Sequence, residues 1–137
     1  MPSDQFERAQ RRREDREADH KERGVASVAS VKYARVSTRK ARMIADLVRG
    51  KRVDQAMSML KFTHRPSIIP AIERLLKSAM AGVDRHAHSN PEELYIGRMW
   101  VDSAGMLKRW RPRAFGRTAR IRKRMCHISL ELVARPS

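Results

Sequence analysis

An acid-free stretch from Ser103 to Leu130 restricts the fold of this chain more than any other feature. Its centre reads Lys108-Arg109-Trp110-Arg111-Pro112-Arg113-Ala114-Phe115-Gly116-Arg117, and Arg120, Arg122, Lys123 and Arg124 follow. Nine of the seventeen residues from Lys108 to Arg124 are cationic. Such a run repels itself and needs a polyanion to hold it in one shape. Pro112 and Gly116 mark a turn. Before the stretch, Leu94–Val101 reads as a strand. After it, Cys126, Ile128, Leu130 and Leu132 alternate with His127, Ser129 and Glu131, the pattern of a half-buried strand. If the flanks pair, the segment from about 102 to 125 is a long hairpin. At ~3.3 Å per residue, from Asp102 to a tip near Pro112–Arg113, its arm spans roughly 30 Å. A two-stranded ribbon is marginal in water, so the tip is expected to be ordered only against a partner.

The remainder reads as one small body. Val28–Val36 alternates loosely, with Val31 and Tyr33, as a strand. Ser37 is placed to cap a helix whose stripe is Ala41, Ile44, Ala45 and Val48, and Gly50 stops it. Asp54 is placed to cap a second helix with Ala56, Met57 and Leu60 inward. Ser67 is placed to cap a third, striped by Ile72, Leu75, Leu76, Ala79, Met80 and Val83. Pro70 is tolerated in its first turn. The expected architecture is α+β: three helices packed on a small three-stranded antiparallel sheet, with a long extended basic β-hairpin. Residues 28–134 form the single domain. Residues 1–27 are a charged N-terminal extension too polar to offset its ordering entropy, which argues for no fixed structure. The spacings Glu7/Arg11, Glu17/Lys21 and Asp19/Arg23 also permit a solvated helix.

Charge narrows the function. The formal net charge is +16, yet residues 1–25 hold seven basic and seven acidic groups, so the body and hairpin carry all of it. A domain this basic binds nucleic acid by releasing condensed counterions, and anionic membrane is the weaker rival because no apolar run approaches a span. A single cysteine and a polar N-terminus fit the cytoplasm. Trp110 and Phe115 sit among the cations, where rings stack on bases or guanidinium planes. Arg39, Lys40, Arg42, Arg49, Lys51 and Arg52 form a second basic cluster around the first predicted helix. His86-x-His88 beside Asp84 lacks a third ligand nearby, and Cys126 falls in the buried register, opposite in facing to His127. No phosphate loop, paired-carboxylate site or zinc spacing is present, so neither enzyme, metal nor cofactor is expected.

The run Val36-Ser37-Thr38-Arg39-Lys40-Ala41-Arg42, continued by Ile44-Ala45-Asp46-Leu47-Val48-Arg49-Gly50-Lys51, resembles the opening helix of the bacterial-type large ribosomal subunit protein L twenty-two family. Ala56 with Leu60-Lys61-Phe62-Thr63, and Leu76-Lys77-Ser78-Ala79, resemble its next two helices. The fullest match is Lys108-Arg109, Arg111-Pro112-Arg113-Ala114-x-Gly116-Arg117, Ile121-x-Lys123-Arg124 and His127-Ile128. The resemblance covers roughly Ala29 to Val133. Gly82-Val83 stand where the family usually has Asn-Ala, Met125-Cys126 where it has Thr-Ser, and Trp110 is bulkier than is usual.

The resemblance implies a structural ribosomal RNA-binding protein in the cytoplasmic ribosome, lying among neighbouring ribosomal proteins and forming no homo-oligomer. Its body would sit near the exit of the nascent-peptide tunnel and its hairpin would help line that tunnel. The expected RNA-binding residues are Arg39, Lys40, Arg42, Lys51, Arg52, Lys108, Arg109, Trp110, Arg111, Arg113, Arg117, Arg120, Arg122, Lys123 and Arg124. The tip Arg109, Trp110, Arg111, Pro112 and Arg113 would face the lumen and the nascent peptide. A different reading, in which the first two helices form a helix-turn-helix unit, suits the Gly50 turn. It leaves few base-reading side chains between Asp54 and Lys61.

Overall fold

The computed structural model describes residues 4–22, 24–86 and 93–134. Elements follow in the order α1 (Asp4–Glu22), β1 (Val25–Ala34), α2 (Thr38–Val48), α3 (Val53–Phe62), α4 (Ile69–His86), β2 (Leu94–Pro112) and β3 (Thr118–Ala134). The three strands form one antiparallel sheet in the order β1-β3-β2. Among the described residues there are four α-helices rather than three, because the extension takes the helical form that its charge spacing permits. Gln5 to Asp19 are exposed throughout α1. Its last turn reaches the body, where His20 Nε2 lies 3.7 Å from Glu131 Oε1.

Apolar spacing explains how the body closes. On α2, Ala41, Ile44, Ala45 and Val48 are buried, and on α3 Val53, Ala56 and Leu60. On α4, Ile72, Leu75, Leu76, Ala79 and Val83 are buried. All turn toward the sheet face carrying Leu94, Ile96, Met99, Val101, Cys126, Ile128, Leu130 and Leu132. Met57 and Met80 pack at the margin of this core. α4 lies against β1 and α2 against β2. The opposite face of β3 carries Glu131, which is nevertheless buried beneath the end of α1. Trp100, on the other face of β2, is 38% exposed.

Boundaries shift where backbone geometry overrides composition. β1 ends at Ala34, short of Val36, because Tyr33 adopts φ 56° at a bulge between Val31 and Ala34. The Tyr33 N–H donates to His127 Nδ1 at 3.1 Å, and the two rings meet edge to face with centroids 4.7 Å apart. Ser37 precedes α2 without a side-chain capping bond. Arg52, not Asp54, precedes α3, and Asp54 lies in its first turn, 3.7 Å from Arg52 Nη2. α4 begins at Ile69, one residue later than a Ser67 cap implies.

Gly82 has a packing reason. A Cβ there would lie 2.5 Å from Ser27 Oγ, so its absence lets α4 approach β1 closely.

The outer edge of β2 is closed by the segment between α2 and α3. Gly50, at φ 75°, donates its N–H to the Ile96 carbonyl at 2.9 Å. Ile96 in turn donates to the Lys51 carbonyl at 3.0 Å. Farther along, Arg49 Nη2 donates to the Met99 carbonyl at 2.7 Å. Arg42 donates through Nε and Nη2 to the Val101 carbonyl at 3.2 and 3.0 Å. These bonds satisfy carbonyls that an edge strand otherwise leaves open.

Candidate nucleic-acid interface

Beyond Val101 on β2 and before Cys126 on β3, no residue of the ribbon is buried. The two strands nevertheless stay paired, from Met106 opposite Arg124 to Pro112 opposite Thr118, after a bulge between Ser103 and Met106. Pro112 falls at the last pair, where its missing N–H ends the ladder without disrupting it. The ten residue steps from Ser103 to Arg113 correspond to roughly 30 Å of projection at ~3.3 Å each.

Strand alternation distributes the charge over both faces. Directly opposed residues share a face, so Lys108, Trp110, Arg120, Arg122 and Arg124 lie together. That face continues the helix-packed side of β3, since Cys126, Ile128, Leu130 and Leu132 follow in the same alternation. Arg109, Arg111 and Lys123 lie on the other face with Leu107 and Ile121. Lys108 directly opposes Arg122, a like-charge pair that opposes ribbon formation. One interaction offsets this repulsion: Arg120 Cζ stands 5.0 Å from the Trp110 ring centroid, a cation–π arrangement. Trp110 is 59% exposed, with one ring face occupied by its own cross-strand neighbour.

At the turn, the Arg113 N–H donates to the Arg117 carbonyl at 2.7 Å, and the Arg117 N–H to the Ala114 carbonyl at 3.4 Å. Phe115 (φ 59°) and Gly116 (φ 62°) occupy the left-handed region within it.

The structure divides the second basic cluster. Arg39 and Arg42 line an open cleft of about 520 Å³ with Ser37, Thr38, Met43, Asp46, Ser103 and Arg124. The first turn of α2 and the root of the hairpin therefore share one cationic surface. Thr38 Oγ1 and Ser103 Oγ lie 3.4 Å apart across it. Lys40 faces an adjoining cleft of about 380 Å³ with Arg35, His64 and Arg65.

Lys51 and Arg52 stand apart from that surface. They lie half-buried at the far end of β2, where Arg52 forms a bridge with Tyr95. The sequence reading missed Arg35, His64 and Arg65, because they come from different elements that only the fold assembles. It named Phe115 as a ring among the cations able to stack, but did not count it among the RNA-binding residues.

The remaining chemical candidates fall to structural roles. Cys126 is fully buried, and burial pushes its thiol above the ordinary value of 9.0. His127 faces the other side and accepts the Tyr33 amide. The pairing of His86 with His88 lies outside the residues whose side chains are described. Among the described residues, no group of three or more His, Cys, Asp or Glu is placed to hold a metal ion. Nor is any helix among them long and apolar enough to cross a membrane.

A compact α+β body that extends a cationic two-stranded ribbon, rooted in a basic cleft, defines a class of basic-arm proteins. Comparison with known proteins gives the family. Residues 29–133 match Ribosomal protein L22p/L17e, and the chain belongs to that family. It is a structural ribosomal protein, not an enzyme. Curated relatives include the "Large ribosomal subunit protein uL22" of Bdellovibrio bacteriovorus, 42% identical over 104 residues (76% of this chain, 94% of the relative). That of Rubrobacter xylanophilus is 43% identical over 106 residues (77% and 83%). That of Clostridioides difficile is 45% identical over 102 residues (74% and 91%). The match begins at residue 29, after α1 and within β1.

Proposed function

We propose that this protein is built into the large ribosomal subunit, where it binds ribosomal RNA through the hairpin and the cleft at its root. The hairpin runs inward and helps line the nascent-peptide exit tunnel. The observation that carries this reading is the placement of cations on both faces of an unburied ribbon. A ribbon meant to lie on a flat surface needs charge on one face only. Charge on both faces, with no carboxylate from Ser103 to Leu130, fits a segment surrounded by phosphates.

Lys108, Arg109, Arg111, Arg113, Arg117, Arg120, Arg122, Lys123 and Arg124 would neutralise those phosphates. Arg39, Lys40 and Arg42 extend the interface over the body, and Lys51 and Arg52 supply a separate one beside Tyr95. The tip from Arg109 to Arg113 approaches the tunnel lumen and a passing nascent peptide. Neighbouring ribosomal proteins complete the surroundings, and the reading requires neither cofactor nor a second copy of the chain. The helix-turn-helix alternative loses support, because the turn after α2 is bonded to Ile96 and the inner face of α3 is buried.

The test is stoichiometric cosedimentation with large subunits stripped of this protein, followed by a density map of the product. Neutralising about six to ten phosphates predicts a loss of affinity of about 10³–10⁵-fold between about 50 and 200 mM salt. A substoichiometric, salt-indifferent association, or density placing the hairpin on the subunit exterior, overturns the proposal.

A further inference from the structure

Phe115 combines two features that are individually unfavourable. It is 98% exposed, and its backbone sits at φ 59°, ψ 36°. The left-handed region is uncommon for a bulky residue and is strained when it is imposed. Left to its own stability, a turn would place Gly or Asn there.

The geometry points to Phe115 as a stacking platform for an unpaired nucleobase of ribosomal RNA. This inference rests on the RNA-binding reading and adds to it an interaction of a different chemical kind. Stacking needs a ring with open faces and nearby cations to hold the flanking phosphates. Phe115 has nearly its entire surface open, and exposed Arg113 and Arg117 flank it across the bond that closes the turn.

Trp110 provides the contrast, for Arg120 already covers one of its faces at 5.0 Å. The two aromatic residues thus divide their roles. Trp110 braces the ribbon across its strands, and Phe115 meets the partner. An apolar peptide is the less fitting occupant, because the ring is delivered at the end of a segment carrying nine cations and no acid. Such a segment is drawn to phosphate, and every base offers a ring face to whatever aromatic side chain arrives with it.

The test uses the full chain and deproteinised large-subunit ribosomal RNA, with the dissociation constant measured across a salt series. Phe115→Asn removes the ring while keeping a residue that adopts the left-handed region readily, and Phe115→Trp keeps an aromatic ring. We expect Phe115→Asn to bind about 5–150-fold more weakly at every salt concentration, with the salt slope unchanged. Phe115→Trp should bind within a few-fold of the parent. Arg113→Gln combined with Arg117→Gln should instead flatten the slope by about 0.7 for each phosphate of unpaired RNA that is no longer neutralised.

Parent-like affinity of Phe115→Asn, alongside a flattened slope for the arginine pair, overturns the stacking role and leaves the RNA-binding reading standing. A changed slope for Phe115→Asn also overturns it, since the weakening would then be ionic. Absence of salt-dependent binding by the parent chain defeats both.

Discussion

Arg49 sits among the basic residues that the sequence assigns to a cationic cluster, yet its geometry predicts mainly a stability phenotype. Its Nη2 donates to the Met99 carbonyl at 2.7 Å in a part-buried setting, while Nη1 meets Asp46 Oδ1 at the same distance in an exposed one. The two bonds differ in value. A hydrogen bond from a charged donor contributes about 1.5–3 kcal/mol when buried. The Asp46 pair has side chains 47% and 64% exposed, so solvent screening reduces it to a few tenths.

Removing Arg49 also strands an acceptor on an edge strand, although partial access to water softens that penalty. Arg49→Ala is therefore expected to destabilise the free chain by about 1–2 kcal/mol, and Asp46→Ala by less than about 0.5 kcal/mol. For a domain of this size each kcal/mol corresponds to a melting-point shift of roughly 4 °C. Urea and thermal unfolding of the two variants measure the difference directly. Equal effects would refute the reasoning, since they would assign the energy to the ion pair. An unchanged Arg49→Ala would show that the Met99 carbonyl finds water at no cost.

Other predictions concern the helix approach, the core thiol and the ribbon. Gly82→Ala gains about 0.8–1 kcal/mol of helix propensity but meets Ser27 Oγ at 2.5 Å. Combined with Ser27→Ala it should therefore raise the melting point more than it does alone, and additivity of the two changes would count against that clash. Cys126 should resist alkylation in the folded chain and react readily in denaturant. Because its folded pKa is raised, its contribution to stability is present below the ordinary value of 9.0 and is lost as pH rises through the folded value. Unfolding titrations from neutral to alkaline pH on the parent and Cys126→Ala would show this as a shallower alkaline decline in the variant. Trp110→Ala removes an exposed cation–π interaction worth about 0.5–1 kcal/mol. It should weaken RNA binding less than removal of two hairpin arginines, and the reverse order in a binding titration would sink that ranking.

The sequence made the hairpin legible because two independent signals agree there. Alternation at Leu94–Val101 and Cys126–Leu132 fixes the strands, and the uninterrupted charge between them excludes a core. The three helical stripes were equally plain, since Ala41, Ile44, Ala45 and Val48 recur at helical spacing and all prove buried. Two kinds of information were hidden. One is local geometry imposed from a distance. Tyr33 enters the left-handed region where its amide meets His127 on the neighbouring strand, and no feature of residues 28–36 announces that bond. The other is convergence in space. Arg39 and Lys40 are adjacent in sequence with Lys51 and Arg52 close behind, yet Arg39 reaches the cleft beside Ser103 at the hairpin root while Arg52 pairs with Tyr95 near the start of β2. Meanwhile Arg124, eighty-five positions from Arg39, comes to line the same cleft.

That convergence explains why arginine recurs here in two distinct settings. Where strand β2 lies at the sheet edge, Arg42 and Arg49 turn their guanidinium groups inward and close the Met99 and Val101 carbonyls. A lysine ammonium lacks the planar fork that lets Arg42 address one carbonyl through two nitrogens while keeping further donors outward. Immediately beyond Val101 the core ends and the edge needs no such closure, because both faces of the ribbon are open. From there the cations point away from the protein. Arg42 stands at the junction, directing two donors to the Val101 carbonyl and lining the cleft shared with Arg39 and Arg124. Its position ties the stability of the body to the orientation of the arm. Arg42→Lys should therefore loosen the root of the hairpin as well as lower the melting point, and hydrogen exchange at Val101–Met106 would report the first effect separately from the second.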